Sequence, residues 1–311
     1  MKKLTILLTA LMAVNILFGQ YKIDTSFYSE ALGEEKMVDV YFPPGYDENP
    51  TWCYPVIYYL HGYGGDQNTM GTMISWITSL FNSGTIGPII MVGADNSPDP
   101  FGGSCYLNSI LWGNYEDYMV NDLIEWIDAS FRTLPFRNAR GLLGQSMGGY
   151  GALRYGIVHK DKFGVLAAHA GVNNFHDAYF REHMQQSILS ENNPGPPYSY
   201  QFTAGLKTML SFLMCGAASP DTNTPQTYVI PPIVQYMLDE NGNYIDSILV
   251  KQDLLDNIFL IGSLTPSDSI GILLGCGTND DFFLYPGHMA LKDSMDYHTL
   301  PYEFYSQRGR P

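Results

Sequence analysis

Met37-Val38-Asp39-Val40-Tyr41-Phe42 alternates apolar and polar with period two and closes on Pro43-Pro44-Gly45, which predicts a half-buried strand ending in a turn. Two later runs are apolar throughout. Pro55-Val56-Ile57-Tyr58-Tyr59-Leu60 leads into His61-Gly62-Tyr63-Gly64-Gly65, and Pro88-Ile89-Ile90-Met91-Val92-Gly93 leads into a loop from Ala94 to Ser104. Such runs suit central strands covered on both faces. The period then changes. Val120, Leu123, Ile124, Ile127 and Phe131 share one helical face, with Asn114 in position as N-cap and Asp117 three residues on. Arg140-Gly141-Leu142-Leu143-Gly144 reads as a short strand, followed by a Gly-rich turn and a helix through Ala152, Leu153 and Ile157. Val165-Leu166-Ala167-Ala168 reads as another buried strand. Strands alternating with helices imply parallel pairing through right-handed crossovers, hence an α/β fold with an open sheet.

From about 173 to 263 the pattern loosens. Asn193-Pro194-Gly195-Pro196-Pro197 and Ser219-Pro220-Asp221-Thr222-Asn223-Thr224-Pro225 are loop-like, with short helical pieces between them. This stretch is expected to be an insertion lying over the sheet, not a second domain. Two strands follow, Ile270 to Gly277 and Pro301 to Ser306, separated by a helix around Met289 to Tyr297.

The first twenty residues belong outside the fold. Lys2 and Lys3 precede an apolar stretch from Leu4 to Phe18, and the small residue Gly19 follows, the layout of a secretory signal peptide. The expected organisation is therefore a leader over 1–20 and one domain over 21–311, secreted or periplasmic, with no stable membrane insertion after cleavage. The chain has 311 residues, 45% of them hydrophobic and 15% charged, so it can bury a core and does not have the composition of a disordered protein. Its 16 Lys and Arg face 31 Asp and Glu, a net charge of −15, and without Lys2 and Lys3 the balance of 14 to 31 gives −17. That charge repels phosphate backbones, which argues against nucleic acid as a partner.

Cys53, Cys105, Cys215 and Cys276 are scattered without CxxC spacing, which excludes a zinc knuckle or a thioredoxin motif. If a disulfide forms, Cys53 with Cys105 is the expected pair, and Cys276 at the end of an apolar run reads as a buried small hydrophobe. Asp239-Glu240-Asn241-Gly242-Asn243 has carboxylates suited to calcium but not the spacing of an EF-hand, and its Asn-Gly reads as a turn. No cofactor or metal is called for.

The chemistry concentrates at Gly144-Gln145-Ser146-Met147-Gly148, placed after a strand and before a helix, as a nucleophile elbow requires. A strand turning sharply into a helix strains its apex and crowds the neighbours, so Gly144 and Gly148 must lack side chains. Ser146 would then project at the helix N-terminus, where negative charge is favoured. The His61 to Gly65 loop can offer a backbone N–H to a developing oxyanion, and Tyr63 and Met147 are the expected donors. His61 itself is expected to buttress that loop. An acid is expected after a later strand, and Asp280 or Asp281 fits on spacing alone.

Several stretches together resemble the esterase D-like α/β-hydrolases. They are Ser29-Glu30-Ala31-Leu32-Gly33, Tyr41-Phe42-Pro43-Pro44-Gly45-Tyr46, the HGxGG loop, Gly113-Asn114-Tyr115-Glu116-Asp117, Gly144 to Ala152 and Gly277-Thr278-Asn279-Asp280. That family includes S-formylglutathione hydrolases, feruloyl and acetylxylan esterases, and mycolyltransferases. The resemblance implies an α/β-hydrolase fold with a mostly parallel sheet and a cap-like insertion. It also implies Ser146 as nucleophile, Asp280 as acid, and Tyr63 and Met147 as oxyanion donors. One departure stands out. The family carries its catalytic His on a Gly-Gly-His loop just after the last strand, where this chain has Gln307-Arg308-Gly309-Arg310-Pro311. The C-terminal end is therefore expected to be incomplete, and His288, in Tyr285-Pro286-Gly287-His288, is expected to be structural or on the surface.

The reading is a secreted serine esterase releasing acyl groups, of feruloyl or acetyl type, from a polysaccharide or a small ester. Acyl transfer and thioester hydrolysis are its alternatives within enzymes. A non-catalytic carbohydrate-binding descendant of the fold is the alternative outside them.

Overall fold

The computed structural model describes residues 22–224 and 226–307; the expected leader lies outside the described residues. Eight strands form one sheet: β1 (Lys22–Ser29), β2 (Glu34–Tyr41), β3 (Val56–Leu60), β4 (Ile90–Ala94), β5 (Arg140–Gln145), β6 (Val165–His169), β7 (Gly271–Gly277) and β8 (Glu303–Gln307). Their spatial order is β1-β2-β4-β3-β5-β6-β7-β8. β2 runs antiparallel to β1 and β4, and every pairing from β4 through β8 is parallel. The apolar runs read from the sequence thus occupy the sheet centre, where Val56, Tyr58, Leu60, Ile90, Val92, Leu142 and Leu166 form one core.

β1 has no clear counterpart in the sequence pattern. Only Phe27 and Ser29 of its eight residues are fully buried, so its alternation is faint. It is held as an edge strand by pairing with β2, by Phe27 stacked on Trp126 with ring centroids 4.9 Å apart, and by Ser29 Oγ donating to Asp122.

The helix expected near Val120 starts at Tyr115, passes through one wide π turn at Tyr118–Asp122 and continues as α2 (Leu123–Ser130), after α1 (Ile74–Asn82). Asn114 occupies the N-cap position but makes no capping bond. Asn108 does so instead: its Oδ1 accepts from the amides of Glu116 at 2.9 Å and Asp117 at 3.3 Å. A short antiparallel pairing of Asn108 with Asn114 brings the capping side chain over the helix start.

α3 (Met147–Val158) follows β5 directly. The insertion is more helical than its sequence suggests, with α4 (Ala178–Glu191), α5 (Leu206–Ala218) and α6 (Asp246–Gln252). α4 buries one residue per turn, Phe180, Met184 and Ile188, a stripe too narrow to stand out in a segment otherwise rich in polar residues. These side chains join Tyr200, Phe212, Tyr236 and Leu249 in a second core, to which the main domain contributes Tyr150 and Cys276. α7 (Tyr285–Tyr297) begins four residues before the expected start, with Pro286 in its first turn.

All four cysteines are free thiols. The expected Cys53–Cys105 bridge is not made: Cys53 is exposed in the turn before β3, while Cys105 faces an internal pocket. Cys276 is buried as expected, and burial pushes its thiol up to about 12. The Asn241-Gly242 turn is present, with Gly242 at φ +88. Asp239 spends its carboxylate on the amides of Asn241 and Asn243 within that turn. Among the described residues no group of three or more His, Cys, Asp and Glu side chains could hold a metal, and no helix is long and apolar enough to cross a membrane.

Candidate active site

Ser146 sits at the apex between β5 and α3 with φ +57 and ψ −121, a backbone region that side chains other than glycine rarely occupy. Two neighbours must be glycine for contact reasons. A Cβ on Gly144 would lie 2.0 Å from Gly148 O, and one on Gly148 would lie 1.8 Å from Leu60 O. The apex is tied down by the Ser146 amide donating to His169 O at 2.9 Å and by the Tyr150 amide donating to Ser146 O at 3.0 Å.

The loop after β3 packs against this apex: a Cβ on Gly62 would lie 3.4 Å from Ser146 Cβ. Met147 opens α3, so its N–H has no carbonyl a turn back inside the helix. Met147 borders one space next to Ser146 and Tyr63 borders another. His61 is 1% exposed. Its Nε2 accepts from the Asn96 amide at 3.0 Å while its Nδ1 donates to Gly62 O at 2.7 Å. Tyr106 Oη donates to His61 O at 2.9 Å from a third side. His61 therefore fastens the loop, as expected, and burial lowers its pKa, keeping the ring neutral.

The two adjacent carboxylates after β7 differ in setting. Asp280 is 9% exposed, and its Oδ1 accepts from the amides of Phe282 at 2.8 Å and Leu284 at 3.3 Å. Asp281 is exposed, and its carbonyl accepts from Lys207 Nζ at 3.0 Å. Lys207, at the start of α5, also lies 3.3 Å over the Phe282 ring, and burial pushes its ammonium down to about 8. Sequence reasoning missed this lysine, which ties the insertion to the acid loop.

All seven histidines fall within the described residues, and none is hydrogen-bonded to Ser146 Oγ. His159 pairs with Glu116, and His176 lies between Asp253 and Asp256. His183 turns its Nδ1 to Tyr179 O, and His298 caps α7. His288 is buried within α7, with Nδ1 against Leu284 O at 3.0 Å and Nε2 without a partner. It is buried and not on the surface. His169 and His288 both feel the Asp280 charge, yet burial outweighs it and lowers both pKa values.

Ser146 borders two spaces. An apolar pocket of about 70 Å3 runs beneath the insertion, walled by Phe175, Phe180, Met184, Leu213 and Met214. A more open groove of about 460 Å3 runs along Tyr63, Gly64, Gly65 and Thr69. A carbonyl group at Ser146 could thus send one substituent into an apolar enclosure and the other toward solvent.

Residues 29–284 match the Esterase family, described as "Putative esterase". The chain belongs to this family. The matched stretch contains Tyr63, Ser146, Met147 and Asp280. An esterase of Mycobacterium tuberculosis is 32% identical over 146 residues, 47% of this chain and 31% of that protein. The endo-1,4-beta-xylanase/feruloyl esterase of Xylanibacter ruminicola is 30% identical over 131 residues, 40% of this chain and 18% of that protein. The chain thus spans less than a third of the length of these curated relatives. Among solved structures, a ferulic acid esterase superposes with TM-score 0.64 at 18% identity, covering 94% of this chain and 91% of that one. The ferulic acid esterase of Anaeromyces mucronatus in complex with ferulic acid superposes with TM-score 0.54 at 18% identity, covering 93% and 84%. These likenesses establish the α/β-hydrolase fold for this member of the Esterase family.

Proposed function

We propose that this chain is a serine esterase, acting outside the cytoplasm on acyl groups of feruloyl or acetyl type carried by polysaccharide or small alcohols. The observation that carries the reading is Ser146, held at positive φ on a helix N-terminus where an apolar pocket meets an open groove. In the proposed reaction Ser146 Oγ attacks the ester carbonyl and loses its proton to a base. The oxyanion is held by the N–H groups of Tyr63 and Met147, and the alcohol leaves with the proton through the open groove. Water then attacks the acyl-enzyme and frees the acid. Asp280, oriented by the amides of its own loop, would stabilise the protonated base. The leader pattern at Lys2 to Gly19 supports export.

Among the described residues no histidine is hydrogen-bonded to Ser146 Oγ, so the base is left unassigned. A second reading is a carbohydrate-binding descendant of the fold with little turnover. The two are separated by measuring ferulate and acetate released from arabinoxylan, with and without added imidazole, for the wild type and Ser146→Ala. Release that depends on Ser146 supports the esterase; binding of the polymer without Ser146-dependent release supports the binder.

A further inference from the structure

Behind the apolar pocket lies a small void with room for about one water, and the two share Phe175, Phe180, Met184 and Met214 as a common wall. The inner cavity differs in chemistry. Its polar lining is the buried Gln252 and the half-buried Arg181 and Tyr244. Arg181 spends its Nε on Phe175 O at 2.8 Å, while its Nη2 is shielded from solvent and has no acceptor among the described residues. No carboxylate pairs with its charge there. Tyr244 is occupied, donating to Arg181 O at 2.7 Å. Gln252 is 2% exposed, and its amide N–H reaches only Cys215 Sγ at 3.8 Å, a weak acceptor.

A buried guanidinium N–H without a partner destabilises the empty protein and is compensated when an oxygen reaches it. The wall in between is made of two aromatic rings and two methionines. Unbranched thioether chains re-pack readily and make favourable contacts with rings. We infer that Arg181 is a specificity-determining residue, receiving in this void an oxygen at the far end of an aromatic acyl group. This inference rests on the esterase reading above, with the acyl group in the apolar pocket. The ring would lie among Phe175, Phe180, Met184 and Met214. Its ring oxygen would accept from Arg181 Nη2, and a ring hydroxyl could in turn use the Gln252 amide. A site built to hydrogen-bond a ring oxygen rejects the analogue lacking it, because its own polar groups are then left unpaired.

The test is binding, so it does not depend on turnover. Affinities of 4-hydroxycinnamate and cinnamate are measured by calorimetry with the full chain and with Arg181→Met. The wild type should bind 4-hydroxycinnamate about tenfold tighter than cinnamate, and Arg181→Met should abolish the difference. Arg181→Lys, which keeps the stem and the charge but loses the fork, covers the case in which Arg181→Met folds poorly and should reduce the preference. An unchanged preference in the folded variants would overturn the role of Arg181. Failure of both acids to bind the wild type would instead remove the acyl-pocket reading, and the inference with it.

Discussion

The amide of Ser146 donates to the carbonyl of His169 at 2.9 Å, which fixes the strained apex of the elbow to the end of β6. Gly149 guards this bond, because a Cβ there would lie 2.4 Å from His169 O. Gly149→Ala must therefore displace the very carbonyl that holds Ser146. The expected cost is about 1–3 kcal/mol of stability from overpacking, with loss of any Ser146-dependent activity. Gly87, where a Cβ would meet nothing within 4 Å, is the control, and Gly87→Ala should shift the denaturant midpoint little. Equal effects at the two positions would contradict the packing described.

Asp280 and Asp281 separate by substitution. Asp280→Asn should lower kcat by orders of magnitude in an assay supplied with a base, because a neutral partner no longer stabilises the charged base or fixes its orientation. Asp281→Asn should cost little. A larger effect at Asp281 would reassign the acid.

Without a base at Ser146 the chain should turn over esters slowly, with a deficit of about four to six orders of magnitude in kcat relative to a complete triad. Added imidazole should raise p-nitrophenyl acetate hydrolysis above the Ser146→Ala background. Strong activity without imidazole that disappears in His288→Ala would show that His288 supplies the base after rearranging out of its buried site.

His61, His169 and His288 have pKa values lowered by burial from 6.5. The unfolded chain therefore takes up protons that the folded chain refuses as the pH falls below about 6.5. Stability should be fully present above that value and decline toward pH 5. Melting temperatures across this range should fall in the wild type and fall less steeply in His61→Gln, whose amide stays neutral. A flat wild-type profile, or parallel profiles, would contradict the burial assignment for His61.

How much of this was legible in the sequence follows from how local each contact is. The elbow and the HGYGG loop could be read because Gly144, Ser146 and Gly148, or His61 to Gly65, carry their chemistry within a few residues. The central strands were legible because their apolar runs are continuous. β1 was not, since a polar edge strand is specified by its partner. The pocket was equally hidden: part of its wall comes from α4, whose buried stripe is one residue per turn, and Lys207 meets Asp281 across 74 positions. Asn108 replaced Asn114 as the cap because a pairing outside the helix delivers it. No local pattern encodes such meetings.

The most direct measurement is the intact mass of the protein after exposure to a fluorophosphonate, followed by peptide mapping, for the wild type and Ser146→Ala. One adduct on the peptide containing Ser146, absent from the variant, is the expected result. An adduct on another residue, or equal labelling of the variant, would contradict Ser146 as the nucleophile.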